Sequence, residues 1–372
     1  MNHVPSHLLP LLLAAAACGG PPPQDARPFH PSPAQSSSPP AAIPADEPRE
    51  PPRAPHGLTP AGALGHSLLL GSGSELGDDD ILAAWQLLVR DPAGAAACRD
   101  LATDAFTFRG VGLGLLGLVA DDAVAVRTRL EEVLGPLPVE SPRQTDSGAS
   151  GADEPPLGDL CETLSPAGRL ALLAFEETPG HVLRPDPGSL GPASLAVLLA
   201  EPRARDLLRA VADEGPTLHA RVAGLLGLAV LDPRACADAV KSLRGDPADA
   251  PDTDAALAMT LLEATSRFEG EAVGEGGETP ATCWAFRVLL ARPDATEWFG
   301  RLAEDDRLPP RLYAACGLRL ADEPASRPLV AKLRTEGGTV PTFFGCILSS
   351  DSVQDLLAQI ESGALPRELA GR

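Results

Sequence analysis

Residues 112–117 have the spacing Gly-x-Gly-x-x-Gly, which in dinucleotide-binding proteins lets a backbone turn approach a pyrophosphate. That chemistry requires a buried hydrophobic strand directly before the glycines, so that the phosphate meets a helix N-terminus. Residues 104–109 are too short and too polar to form this strand. A second glycine-rich stretch, at 222–227, has the same register. We therefore predict that these glycines are packing positions in a helical repeat and that the chain binds no cofactor through them.

Metal-binding and acid–base residues are too scattered to indicate a site. The three histidines of the helical part, His66, His181 and His219, are far apart in the sequence. The acidic runs that begin at Asp78 and Asp246 lack the glycine and the terminal glutamate of a calcium loop, and the first is well placed to begin a helix. No nucleophile elbow, phosphate-binding loop or Cys-x-x-Cys motif occurs. We predict no catalytic residue, metal site or cofactor, with adventitious Ca²⁺ at the second acidic run as the open alternative.

A short apolar run ends at Cys18, and two glycines follow it. The run has about ten residues, whereas a bilayer core requires roughly 20, so it is typical of a cleaved signal. This layout resembles the signal peptide and lipobox of a bacterial lipoprotein. The resemblance implies removal of residues 1–17 and lipidation of Cys18, and Gly19 implies sorting to the outer membrane. An ordinary secretory signal cleaved after Ala17 and a cytoplasmic protein are the alternatives.

Six more cysteines follow, an even number that allows disulfide bonds in an exported chain. Cys316 and Cys346 are the pair that we predict to be bonded. The chain is expected to return antiparallel after a turn at residues 337–338, which can bring the two Cα atoms within about 4.4–6.8 Å. The alternative is that both are separate buried thiols.

Two further properties describe the chain as a whole. The segment 18–60 is rich in proline, alanine and serine, so it is predicted to be a disordered tether with a reach on the order of 100 Å. The net charge of −21 argues against a nucleic-acid partner and against adhesion to anionic lipid, which leaves the lipid on Cys18 as the membrane contact. Solubility is the simplest interpretation of this charge, with a cationic partner or divalent cation as the alternative.

An internal repeat indicates the fold. Three Gly-Leu pairs are each followed, four residues after the leucine, by an aspartate. The pairs begin at Gly117, Gly227 and Gly317, and the aspartates are Asp122, Asp232 and Asp322. Each copy is predicted to be a helix, a turn and a second helix that the aspartate starts or caps. This arrangement resembles HEAT-type helix pairs, which implies an all-α solenoid over residues 61–372.

The C-terminal part supports the same family. Residues 311–318, 345–349 and 360–363 resemble the tail of a poorly characterised group of HEAT-like bacterial proteins, and that resemblance implies no activity. We predict a non-enzymatic, membrane-tethered helical-repeat lipoprotein that acts as a protein-binding scaffold in the cell envelope. The alternative is a small-ligand-binding module or an enzyme that uses a concave helical groove.

Overall fold

The computed structural model describes residues 55–70, 76–104, 108–119, 126, 128, 130–131, 156–177, 190–245, 250–274 and 277–372. The predicted signal peptide at 1–17, the predicted lipidation site Cys18 and positions 18–54 of the predicted tether lie outside these residues. The first described element is a 3-10 turn at Pro55–Gly57. The first α-helix begins at Pro60, where the sequence analysis ends the tether.

Helices dominate the described residues, as the spacing of leucine, alanine and valine predicts. This part of the chain contains seventeen α-helices. From α1 to α17 they are Pro60–Leu70, Asp78–Arg90, Gly94–Asp104, Phe108–Leu118, Leu157–Thr163, Pro166–Glu177, Leu190–Leu199, Ala204–Glu214, Leu218–Leu231, Pro233–Leu243, Ala250–Ala264, Ala281–Leu290, Ala295–Leu302, Leu308–Ala321, Glu323–Glu336, Val353–Ser362 and Ala364–Leu369. The prediction of a mainly helical protein is confirmed.

A small three-stranded sheet accompanies the helices, and the sequence analysis did not predict it. Its strands are β1 (Phe268–Val273), β2 (Thr339–Gly345) and β3 (Ile347–Ser352). β1 pairs in parallel with β2, and β2 pairs antiparallel with β3. β2 contains Pro341, and β3 consists mostly of polar residues. Neither segment therefore has the residue pattern that marks a strand.

Consecutive helices pack against one another along the described chain. α1 packs with α2, α3 with α4, α6 with α7, α8 with α9, α11 with α12, and α13 with α14. Each pair is joined within the local sequence, and the apolar faces that the pairs share form the core.

The repeat aspartates begin the second helix of a copy, as the sequence predicts. Asp232 precedes α10, and its Oδ1 accepts the backbone N–H of Ala235 at 3.1 Å. Asp322 precedes α15 and accepts the N–H of Ala325 at 3.3 Å. Both are N-caps that satisfy an otherwise unpaired N–H of the first turn. Asp122 of the first copy lies outside the described residues.

Replacing Asp232 with alanine should lower the free energy of unfolding by about 1 kcal/mol, because the first turn of α10 loses its cap. Asp232→Asn is the matched control, since it keeps an oxygen that can accept the N–H of Ala235, and it should cost clearly less. Urea unfolding followed by circular dichroism measures both values. Equal losses in the two variants would contradict the capping role.

The repeat extends further towards the N-terminus than the sequence analysis found. In each copy, the helix before the repeat ends at a charged residue followed by proline. The pairs are Asp91-Pro92 after α2, Glu201-Pro202 after α7 and Arg292-Pro293 after α12. The third copy is one residue shorter between this turn and the Gly-Leu pair, which hid the similarity.

The charged residue of this turn holds the start of an earlier helix in the first two copies. Asp91 Oδ2 accepts the backbone N–H of Thr59 at 2.9 Å and its hydroxyl at 2.5 Å, just before α1. Glu201 likewise accepts the backbone N–H of Ser165 at 3.3 Å, just before α6, and also its hydroxyl. In both copies, the hydroxyl residue just before the first helix, Thr59 or Ser165, is therefore hydrogen-bonded to the turn that follows the second helix of the pair.

The third copy makes a corresponding contact through an ion pair, with arginine in place of the acidic residue. Arg292 Nη2 lies 3.9 Å from Oδ1 of Asp252 in the first turn of α11, and its Nη1 lies 3.6 Å from Oδ1 of Asp254. All three copies therefore begin with a two-helix unit whose first helix is anchored to the turn that ends the second.

The predicted disulfide between Cys316 and Cys346 is wrong, because both residues are free thiols. Cys316 lies inside α14 and is fully buried. Cys346 is exposed in the turn between β2 and β3, where its Sγ donates to the carbonyl of Gly274 at 3.1 Å. The prediction failed because the chain returns as a strand paired with β1, which places Cys346 in the hairpin turn at the end of the sheet.

Candidate functional site

Residues 112–117 lie within helix α4, where they pack helices together. A Cβ atom on Gly114 would lie 2.7 Å from the backbone nitrogen of Ala102 and 2.8 Å from the carbonyl oxygen of Cys98, both in α3. A Cβ atom on Gly117 would overlap the Cys98 Sγ. The backbones of α3 and α4 therefore approach closely at these glycines. The predicted packing role is confirmed.

In the other two copies, the glycines also allow a close approach between helices. A Cβ atom on Gly224 in α9 would lie 2.7 Å from the carbonyl oxygen of Leu208 in α8, and one on Gly227 would lie 2.5 Å from the Leu208 side chain. In α14, a Cβ atom on Gly317 would overlap the ring of Phe299. Each Gly-Leu pair thus accepts a side chain from the preceding helix.

His66 and His219 are buried in helix contacts, whereas His56, in the 3-10 turn, is exposed. His66 lies edge-on to His56, with ring centroids 5.9 Å apart, and burial lowers the pKa of His66. Burial, supported by the positive charge of Arg109 and opposed by Asp78, lowers the pKa of His219 to about 4. Both histidines are therefore held neutral at neutral pH.

The acidic runs have structural partners where they are described. Asp78 Oδ2 accepts the N–H of Leu218 at 2.6 Å, which joins the start of α2 to the start of α9. His181, Asp246 and Asp249 lie outside the described residues. Within the described ranges, no group of three or more His, Cys, Asp or Glu side chains could hold a metal ion.

Three of the buried cysteine thiols are poorly suited to nucleophilic chemistry. Burial raises the pKa of Cys236 to about 12, and its Sγ donates to the carbonyl of Leu225 at 3.2 Å. Burial also raises the pKa of Cys283 and of Cys316. Because the thiolate is the nucleophile, these groups are unreactive near neutral pH.

A buried polar cluster around Glu269 connects β1 to the helices, and the sequence analysis missed it. The Glu269 carboxylate accepts from Thr282 Oγ1 at 2.7 Å and from Arg267 Nε at 2.6 Å. Its backbone N–H donates to the Tyr313 hydroxyl at 2.9 Å, and burial raises the pKa of Tyr313. Each of these groups has a protein partner, so the cluster orders the interior.

In the part of the chain that the structure describes, the candidate site is a charged groove between α15 and α16 that Arg319 of α14 also lines. Its volume is about 330 Å³ and it is open to solvent. Most of the residues that line it are charged: Arg319, Glu323, Arg327, Arg334 and Glu361. The exposed Ala331 also lines it.

The arginines of the groove are paired with its glutamates. Arg319 Nη1 lies 2.5 Å from Glu323, and Arg327 Nη2 lies 3.6 Å from the same carboxylate. Arg334 Nη2 lies 2.5 Å from Glu361, and Arg319 also donates to the backbone carbonyl of Glu361 at 3.1 Å. Three arginines therefore share two carboxylates, so the groove has an excess of positive charge in a strongly acidic protein.

The groove is suited to ionic binding. Arginine stays charged at all relevant pH values. Hydrogen bonding from Arg319, supported by its charge and that of Arg327, lowers the pKa of Glu323, which keeps this carboxylate ionised. Ser326 is only 2% exposed and donates to the carbonyl of Glu323 at 2.7 Å, so its hydroxyl is not presented to a ligand. A carboxylate-bearing ligand could exchange with the existing ion pairs.

The sequence contains a signal for this groove that was not used. Arg327, Ala331 and Arg334 have the spacing i, i+4 and i+7, which places them on one helical face. The contributions of α14 and α16 have no such signal, because tertiary packing alone brings them together.

No family model, no curated protein and no solved structure matches the chain. The described helices include none that is both long and apolar enough to cross a membrane.

Proposed function

We propose that this chain is a non-enzymatic helical scaffold that binds a charged segment of a partner protein in the groove between α15 and α16. In this proposal Cys18 carries a lipid that anchors the protein in the bacterial cell envelope, at the outer membrane. Residues 1–17 are removed, and the segment 18–60 spaces the helical domain from the membrane. The helix pairs of residues 61–372 are of the HEAT type and stack as a solenoid.

The paired charges of the groove are the observation that carries this proposal. Surface ion pairs contribute little stability, so a ligand with its own charges can replace them at small cost. The spacing of the charges along α15, from Arg327 to Arg334, covers two helical turns, or about 10 Å, which suits an extended peptide better than a small molecule. Charge complementarity of this kind chiefly sets partner choice and the rate of association.

The helix-pair part of the proposal rests on the close approach of helices at the repeat glycines and on the caps at Asp232 and Asp322. Helix pairs of this sort bury their apolar faces against neighbours and leave polar surfaces for partners.

Photo-crosslinking in the native envelope tests the proposal. A photoreactive amino acid in place of Ala331, which is exposed in the groove, should give an adduct with a second polypeptide. The matched control is the same substitution at Ala256, an exposed alanine of α11 outside the groove, which should give none. Adding Arg327→Glu should reduce the adduct at position 331 several-fold, because one positive charge of the groove is reversed.

Equal adducts at the two positions would contradict the groove as the binding site. Absence of a polypeptide adduct at position 331, together with a small molecule that co-purifies and is lost in Arg327→Glu, would favour the alternative of a small-ligand-binding module.

A further inference from the structure

The same two-helix unit occurs three times in the described chain, as α1–α2, α6–α7 and α11–α12. A proline lies at the start of the first helix of each unit, and another follows the end of the second helix. These prolines are Pro60 and Pro92, Pro166 and Pro202, and Pro251 and Pro293. The first proline aligns the first helices of the three units and the second proline aligns their second helices, with connections of different length between them.

Two of the units pair with each other. α1 packs against α12, and α2 packs against α11. The first helix of each unit therefore meets the second helix of the other, as a local twofold axis would require. Apolar residues of these helices are buried: Leu64 is 0% exposed, Leu87 is 5% exposed and Val288 is 4% exposed.

The third unit, α6–α7, leaves the aligned positions open to solvent. Leu170 aligns with Leu64, yet it is 71% exposed. Leu173, on the same helix, is 46% exposed. Val197 of α7 aligns with Leu87 of α2 and with Val288 of α12, which are both buried. Val197 itself is only half-buried. Leu170 and Val197 are therefore more exposed than the residues at the aligned positions of the other two units.

The charged neighbour of these leucines does not cover them. Arg169 Nη2 donates to the carbonyl of Glu162 at 2.9 Å, and its Nε donates to the carbonyl of Leu164 at 3.3 Å. The guanidinium group is thus held against the turn before α6. An incoming apolar helix can reach Leu170 and Leu173 without displacing a charge from a buried position.

We infer that α6–α7 is a homodimer interface, in which α6 of one copy packs against α7 of a second copy and the reverse. The arrangement reproduces the pairing of α1 with α12 and of α2 with α11. The occupant is a second copy of this chain, because in the described structure the other two units pair with each other through the same two helices. A twofold contact of this kind is self-complementary and closes after two chains.

Sedimentation velocity on the purified full chain tests this inference. The wild-type chain should sediment with twice the mass of one chain. Leu170→Glu/Leu173→Glu should raise the dimer dissociation constant at least tenfold. The matched control is Ile347→Glu/Leu348→Glu, which changes a second pair of exposed large apolar residues, each 68% exposed, and should leave the dimer intact. Thermal unfolding should show that both variants remain folded, since all four side chains are largely exposed.

Three results would overturn the inference. The wild-type chain could sediment as a monomer over a hundredfold range of concentration. The control could dissociate as readily as Leu170→Glu/Leu173→Glu. A monomer whose Leu170→Glu/Leu173→Glu variant melts at a clearly lower temperature would show instead that another segment of the same chain covers this face.

Discussion

Replacing Gly224 with alanine should lower the free energy of unfolding by about 3 kcal/mol, because overpacking a close helix contact forces the backbones apart. The added Cβ would lie 2.6 Å from the backbone nitrogen of Ala212 and 2.7 Å from the carbonyl oxygen of Leu208. Backbone atoms of a packed helix cannot yield by changing a side-chain rotamer. Urea unfolding followed by far-UV circular dichroism measures the loss.

Gly300 provides the matched control. It lies inside α13, and a Cβ atom on it would meet nothing within 4 Å. Gly300→Ala should therefore raise the free energy of unfolding by about 0.5–1 kcal/mol, because alanine loses less backbone entropy in a helix. Gly227→Ala should fall between the two, since its added Cβ would meet the ends of the flexible Leu208 side chain. Equal effects at Gly224 and Gly300 would contradict the close packing of α8 and α9.

The second large effect is a loss of stability in acid that depends on His219. Burial lowers the pKa of this histidine to about 4, from its ordinary value of 6.5. Between these two values the unfolded chain binds a proton that the folded chain excludes, so stability falls as the pH decreases. The stability that comes from keeping His219 neutral is fully present above about pH 6.5. The free energy of unfolding falls by about 3 kcal/mol by the time the pH reaches 4.

His219→Gln isolates this effect, because glutamine remains polar and does not titrate. The wild-type chain should lose more unfolding free energy than the variant between pH 7 and pH 4.5, when both are measured by urea unfolding. The carboxylates of the protein are common to both chains and cancel in the comparison. Parallel curves for the two proteins would show that His219 is not kept neutral by the fold.

The helices and their starts could be predicted from the sequence. Leucine, alanine and valine recur at helical spacing, and the repeat placed Asp232 and Asp322 at the first turn of a helix, where each accepts a backbone N–H. The packing role of the glycines at 112–117 also followed from the sequence, because the dinucleotide interpretation needs a preceding strand that residues 104–109 cannot form. These features depend on residues within a few positions of one another.

The candidate groove and the separation of Cys316 from Cys346 could not be predicted in this way. Arg319, Arg334 and Glu361 come from three different helices, and only their packing creates a shared groove. Cys346 lies far from Cys316 because β2 pairs with β1, at the register of Phe268 with Thr342. That pairing joins segments separated by several helices, and the residue composition of neither strand predicts it.

The sequence by itself determined the helical class, the order of the repeated units and the residues that start and separate their helices, because hydrogen bonding and side-chain spacing within one or two turns decide these features. Only the tertiary structure decided that α1–α2 pairs with α11–α12, that Leu170 of α6 is exposed while the aligned Leu64 is buried, and that arginines of α14 and α15 share carboxylates with α16. The reason is that burial and ion pairing depend on which distant apolar faces meet, and many partners satisfy the same local pattern.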